Sequence, residues 1–180
     1  MHAVIESHGS NQPRIVMENL FKDTPRANVL VFKIVKDDSA GKEYLGFKIT
    51  GYIIKNHEGK VKETYREGSK NKDGKVQGPV LPAQFVEVLQ KFFSGNSCQG
   101  PNTLAVQEIK NRLKKLIEFA KNNNSRHLCG TNLILIADNM KNKFDLRILN
   151  LTNLKDLPST DPAKKPIDAD FVVGLEKIQE

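Results

Sequence analysis

Two short stretches carry side chains whose type and placement could do chemistry. In "NVLVFKIV", residues 28–35, Lys33 is the one cation in a run that is apolar at six of eight positions. A lysine there either holds an anion or snorkels from the strand end to solvent, because an unpaired charge in apolar surroundings is costly. In "DLRILNLTNL", residues 145–154, an apolar run ends in Asn150, Thr152 and Asn153. Those are amides and a hydroxyl where a metal-using enzyme would place a carboxylate, so the stretch is either a weakened metal site at Asn150 or strand-end turn chemistry, in which Asn and Thr bond nearby backbone. Thr131 and Asn132 open a third apolar run, "TNLILIAD". His127, just before it, reads as a surface or capping histidine, and His2, His8 and His57 belong to no constellation.

Composition narrows the classes that these residues could serve. A chain of 180 residues is the size of one domain. With 28 Lys+Arg against 21 Asp+Glu its net charge is +7, which suits an anionic partner (nucleic acid, a phosphorylated small molecule, an acidic membrane surface) or simply a lysine-rich surface. For RNA no aromatic stacking platform is visible, since Trp is absent and the Phe residues fall at core phases. Two cysteines, Cys98 and Cys129, form no CxxC pair, which argues against a zinc site and for the reducing cytoplasm or nucleus. "MHAVIESHGS" lacks the basic and apolar regions of a signal peptide, and the apolar runs are strand-length, so a transmembrane or secreted chain is not expected.

The elements that position these residues follow from periodicity. Residues 1–13 read as a leading loop and 14–180 as a single domain. "RIVMENL" begins as a short strand and "NVLVFKIV" is a strand buried on both faces. "YLGFKITGYIIKN" places Phe47, Ile49 and Ile53 in phase, with Gly46 and Gly51 marking close backbone approach or a bulge. Residues 57–78 form a mildly basic exposed excursion with "NKDGK" as its turn. "LPAQFVEVLQKFFSG" carries Phe85, Val88, Leu89 and Phe92 at helical spacing, and "TLAVQEIKNRLKKLIEFAKNNN" does the same through Ala105, Ile109, Leu113, Leu116, Ile117 and Ala120. "TNLILIAD" and "FDLRILNL" flank the turn "NMKNK" as an antiparallel hairpin, and "DADFVVGLEKIQE" closes the chain as a helix. Asp168 and Asp170 lie at its start, where the helix dipole favours carboxylates. The sum is an α+β fold with an antiparallel-rich sheet packed with helices.

In this order the segments resemble the inositol polyphosphate kinase family over about residues 14–180. "IVMENL" is similar to the family's hinge strand L-E-D-L, and "NVLVFKIV" falls where its P-x-x-x-D-x-K-x-G signature lies. "YLGFKITGYII" is similar to G-F-R-x-x-G-M, "GTNLILIAD" to S-S-S-L-L-x-x-Y-D, "LRILNLTN" to the I-D-F-A-H segment, and "DADFVVGLEKI" to D-x-G-Y-x-x-G-L-x-x-L. The resemblance implies nucleotide contacts at Glu18, Asn19 and Leu20 of the hinge, and substrate contacts at Lys33, Thr131 and Asn132.

The departures bear on catalysis. Val31 stands at the signature aspartate and can neither accept a proton nor hold an ion. Asn150 stands at the metal-binding aspartate and Asn153 at the histidine, so Mg²⁺ beside an ATP triphosphate would lack its balancing charge. Family members carry a small lobe before the hinge, with a glycine-bearing hairpin and a lysine for the ATP phosphates. Only thirteen residues precede "RIVMENL", and no GxxxxGK occurs to replace that lobe. The resemblance therefore implies an inositol-polyphosphate-kinase-like C-terminal lobe that acts as a non-catalytic binding or structural subunit. A partner protein would cover its bare face, with an inositol phosphate as a further ligand. The alternative is a divergent kinase that uses ATP and Mg²⁺ to phosphorylate an inositol phosphate hydroxyl.

Overall fold

The computed structural model of the chain describes residues 4–6, 14–16, 22–36, 45–94, 101–123, 126–149, 155–157 and 167–180. Its centre is a five-stranded antiparallel sheet. Two strands precede it, β1 (Val4–Glu6) and β2 (Arg14–Val16), which pair with each other; β1 lies within the span read from sequence as a loop. The sheet contains β3 (Asn28–Ile34), β4 (Phe47–Lys55) and β5 (Val61–Arg66). After helices α1 (Pro82–Ser94) and α2 (Thr103–Asn123) and the two-residue β6 (Arg126–His127), the chain adds β7 (Asn132–Asp138) and β8 (Lys143–Leu149). β9 (Lys155–Asp156) pairs with β6, and α3 (Ala169–Gln179) ends the chain. The sheet order is β5-β4-β3-β7-β8, which puts the valine-rich β3 in the middle.

The helices pack on one face of this sheet. Leu30, Phe32 and Ile34 of β3 join Ile49, Leu133, Leu135 and Ala137 in a core with Phe92, Ile109, Leu113, Phe171 and Leu175. Fully burying one such side chain stabilises by about 1.5–3 kcal/mol, so this layer holds the fold together. Burial on both faces, expected for β3, holds only for part of the strand. On its second face Val29 is buried, Val31 is half-buried and Lys33 is exposed.

A bulge explains a second departure. The β3–β4 pairing shifts between Val31, opposite Gly51, and Phe32, opposite Ile49, which leaves Thr50 as the extra residue. The extra residue inverts the alternation of β4. Ile49 and Ile54 point into the core, while Ile53, expected in phase with Ile49, is turned to the other face at 36% exposure. Gly51 thus marks the bulge, and Gly46 marks the close approach: with φ +71° it abuts α3, where a Cβ on it would lie 2.8 Å from the Gly174 Cα.

Polar side chains fasten the helices to the strands. The Tyr52 hydroxyl donates to Glu63 at 2.5 Å, and Lys91 of α1 bridges Glu63 at 3.0 Å and Glu87 at 2.8 Å. Burial, reinforced by the hydrogen bond to Glu63 and its charge, pushes the Tyr52 phenol far above its usual range. Burial alone would raise the Glu63 carboxyl, but its hydrogen bonds from Tyr52 and Lys91 outweigh that and bring it down. Asp168 does more than complement the α3 dipole. One carboxylate oxygen caps α3 by accepting from the Phe171 N–H at 3.1 Å. The other accepts from the Leu128 and Cys129 N–H groups at 2.6 and 2.8 Å and lies 3.0 Å from His127 Nδ1. His127 is thereby a structural partner of a buried carboxylate. Among the described residues no helix is long and apolar enough to cross a membrane.

Candidate functional site

The sheet face opposite the helices brings the candidate residues together in rungs. Residues directly opposite on antiparallel strands share a face, and those two apart along a strand share it at about 7 Å spacing. One rung runs Lys48–Lys33–Asn132–Leu149, the next Gly51–Val31–Ile134–Arg147, and the third Ile53–Val29–Ile136–Asp145. Charge and amides thus occupy one end of the face, and aliphatic side chains its middle. A shallow groove of about 410 Å³ crosses it, lined by Val29, Val31, Thr50, Ile53, Thr64, Arg66 and Glu67 among others.

The Lys33 side chain is exposed and makes no hydrogen bond or ion pair among the described residues. Its cross-strand neighbour Lys48 is bound by Glu67, with Nζ 2.8 Å from Oε1. Two lysines opposite each other repel, and Glu67 neutralises one of them. Asn132 stands on the other side of Lys33 and is half-buried. Its chain neighbour Thr131 is not on this face. The Thr131 carbonyl accepts from Ile34 N–H, and its hydroxyl is buried without a hydrogen-bond partner. Period-two alternation separates the pair that the resemblance treats as a unit.

Val31 lies two residues from Lys33, about 7 Å away on the same face, and presents only methyl groups there. The acidic side chains of β7 and β8 do not compensate. Asp138 ends β7, about 20 Å from Asn132 by strand rise, and is buried with one carboxylate oxygen unpaired. Asp145 is held by Arg112 at 2.9 Å and Arg147 at 2.7 Å, roughly 13 Å along β8 from the Lys33 rung. Among the described residues no three His, Cys, Asp or Glu side chains gather in a way that could hold a metal ion. Glu18, Asn19 and Leu20, expected from the resemblance to contact nucleotide, and Asn150 and Asn153, expected at the metal and histidine positions, lie outside the described residues.

Sequence reasoning missed Lys48, Glu67 and Arg66. A signal existed for Lys48, which occupies the arginine of the G-F-R-x-x-G-M-like stretch, but its position opposite Lys33 depends on the register beyond the bulge. Glu67 follows β5, in the segment read as a mere excursion.

The inositol polyphosphate kinase family matches residues 18–180, and the chain belongs to this family. Its fold is also that of solved multikinases. An inositol phosphate multikinase studied structurally and by protein engineering shares 17% identity with a TM-score of 0.63, over 97% of this chain and 86% of that one. The inositol phosphate multikinase of S. cerevisiae, solved with ADP and Mn²⁺, shares 15% identity with a TM-score of 0.59, over 93% of this chain and 81% of that one. No curated protein matches the sequence.

Proposed function

We propose that this family member binds an inositol phosphate on the Lys33 face without transferring phosphate to it, as a binding or structural subunit of a larger assembly. The observation that carries the reading is the exposed Lys33 side chain, without an ion pair among the described residues, beside Asn132 and on one face with Val31, where the resemblance implies the family's signature carboxylate. A lysine and an amide can bind a phosphoryl oxygen. Valine can neither take the proton of an attacking hydroxyl nor position a cation, and phosphoryl transfer depends on such positioning and charge. The aliphatic rungs, with half-exposed Val31, Ile134 and Ile53, are the surface this reading gives to a protein partner.

A second reading, a divergent kinase acting with ATP and Mg²⁺, is favoured by family membership and by the nucleotide in the yeast neighbour. Calorimetric titration of the chain with inositol hexakisphosphate and, separately, with MgATP tests both. The binding reading expects saturable inositol phosphate binding that Lys33→Met weakens by about tenfold or more, the scale of one lost charge-assisted contact. Phosphorylation of an inositol phosphate by the purified chain would overturn it in favour of the kinase.

A further inference from the structure

We infer that Glu67 sets the charge selectivity of this face by competing with ligand phosphate for the Lys48 ammonium, an inference that rests on the anion-binding reading of the Lys33 face. Lys33 and Lys48 are opposed across β3 and β4, so a ligand carrying more than one phosphate can address both. The two lysines are nevertheless unequal. Lys48 is held by Glu67 at 2.8 Å, whereas Lys33 has no ion pair among the described residues.

Glu67 is anchored at the bulge. Its N–H donates to the carbonyl of Thr50, the inserted residue, at 2.9 Å. The β4 bulge therefore fixes the backbone that carries the competing carboxylate. The lysine and glutamate side chains are 38% and 26% exposed, and a pair this open to water is weak enough for a ligand to displace. A ligand with one phosphate satisfies Lys33 and leaves the Lys48–Glu67 pair closed. A polyphosphorylated ligand gains Lys48 only by opening that pair and bringing its charge beside the displaced carboxylate of Glu67, which lines the neighbouring groove with Arg66.

The test is a double-mutant cycle in ligand affinity. Wild type, Glu67→Gln, Lys48→Met and the double variant are titrated with inositol hexakisphosphate and with inositol monophosphate. Circular dichroism melts confirm folding, and Glu67→Ala serves as a second neutral variant. Glu67→Gln is expected to tighten hexakisphosphate binding about three- to tenfold, the scale of removing one partly exposed ion pair and its repulsion. Monophosphate binding is expected to change by less than about twofold, and the gain is expected to vanish in the Lys48→Met background. Unchanged or weaker hexakisphosphate binding by both Glu67 variants, or a gain that persists without Lys48, overturns the role of Glu67. If wild type binds no inositol phosphate at all, the anion-binding reading falls, and Glu67 selectivity falls with it.

Discussion

Replacing Asp168 by alanine puts the sharpest demand on the architecture that carries Asn132. The carboxylate is 3% exposed and accepts from three backbone N–H groups, those of Leu128, Cys129 and Phe171, besides lying against His127. Hydrogen bonds to a charged group are worth about 1.5–3 kcal/mol each, and three sharing one acceptor do not add in full, so a loss of about 4 kcal/mol is expected. In a chain of this size that lowers Tm by about 8–16 °C, against a total stability of about 5–15 kcal/mol. Asp168→Asn keeps an acceptor for Phe171 but turns an NH₂ group toward the other two N–H donors, so about half the loss is expected. Urea titration is the assay, with midpoints that fall while the m-value holds. Amide exchange adds a local reading, since Cys129 N–H should lose protection before the centre of β3 does. An alanine variant within about 1 kcal/mol of wild type, or an asparagine variant equal to it, would refute the clamp.

Gly174→Ala tests the contact between α3 and the start of β4. Its Cβ would lie 2.5 Å from the Gly46 carbonyl oxygen and 2.9 Å from Ile34 Cγ2, so a loss of at least about 2 kcal/mol is expected by urea titration, where an exposed helical glycine would gain from the change. Cys129 gives a pH dependence. Burial, with the charge of Asp168 next, pushes its thiol up to about 11, against about 8.5 in an unfolded chain. The unfolded state therefore releases this proton first, and the contribution is intact below about pH 8.5 and is lost as pH rises toward 11. In a Cys98→Ser background, urea midpoints over that window should fall more steeply with Cys129 present than in Cys129→Ser, and its reaction with a disulfide reagent at pH 7.5 should be slow until the chain unfolds.

Periodicity made the helices legible because a helix repeats its core contact at every turn. Val88 and Phe92, then Ile109, Leu113 and Ile117, then Phe171 and Leu175 are all buried, as their spacing predicts. Alternation failed at Ile53 for a specific reason. One inserted residue, Thr50, reverses the face of everything after it, and the sequence signals that only by Gly51. The site suffered the same limitation. Lys33 stands out as a cation in an apolar run, yet Lys48 and Glu67 become its neighbours through pairings between strands, which no local pattern contains. The role of Asp168 was half legible: its helix-start position is local, whereas its second oxygen serves backbone 40 residues away.

The same physics bears on the proposal that this chain keeps the family's fold without the family's chemistry. At position 31 a carboxylate on a central strand is a liability to the sheet, since aspartate is among the residues strands disfavour and valine among those they favour. Val31 sits between Gly51 and Ile134, half-buried, with the Ile134 side chain beside it on one strand. Under the proposed reading, valine at position 31 suits a central strand better than the carboxylate that the family resemblance implies there. Lys33 is the opposite case. Its backbone pairs on both sides, but its side chain makes no hydrogen bond or ion pair among the described residues and stands opposite a like charge in Lys48. Under the proposed reading, an anionic ligand supplies the favourable term that the sheet does not. That asymmetry, rather than fold likeness, which is compatible with many activities, is what supports the proposal that this face binds without transferring phosphate.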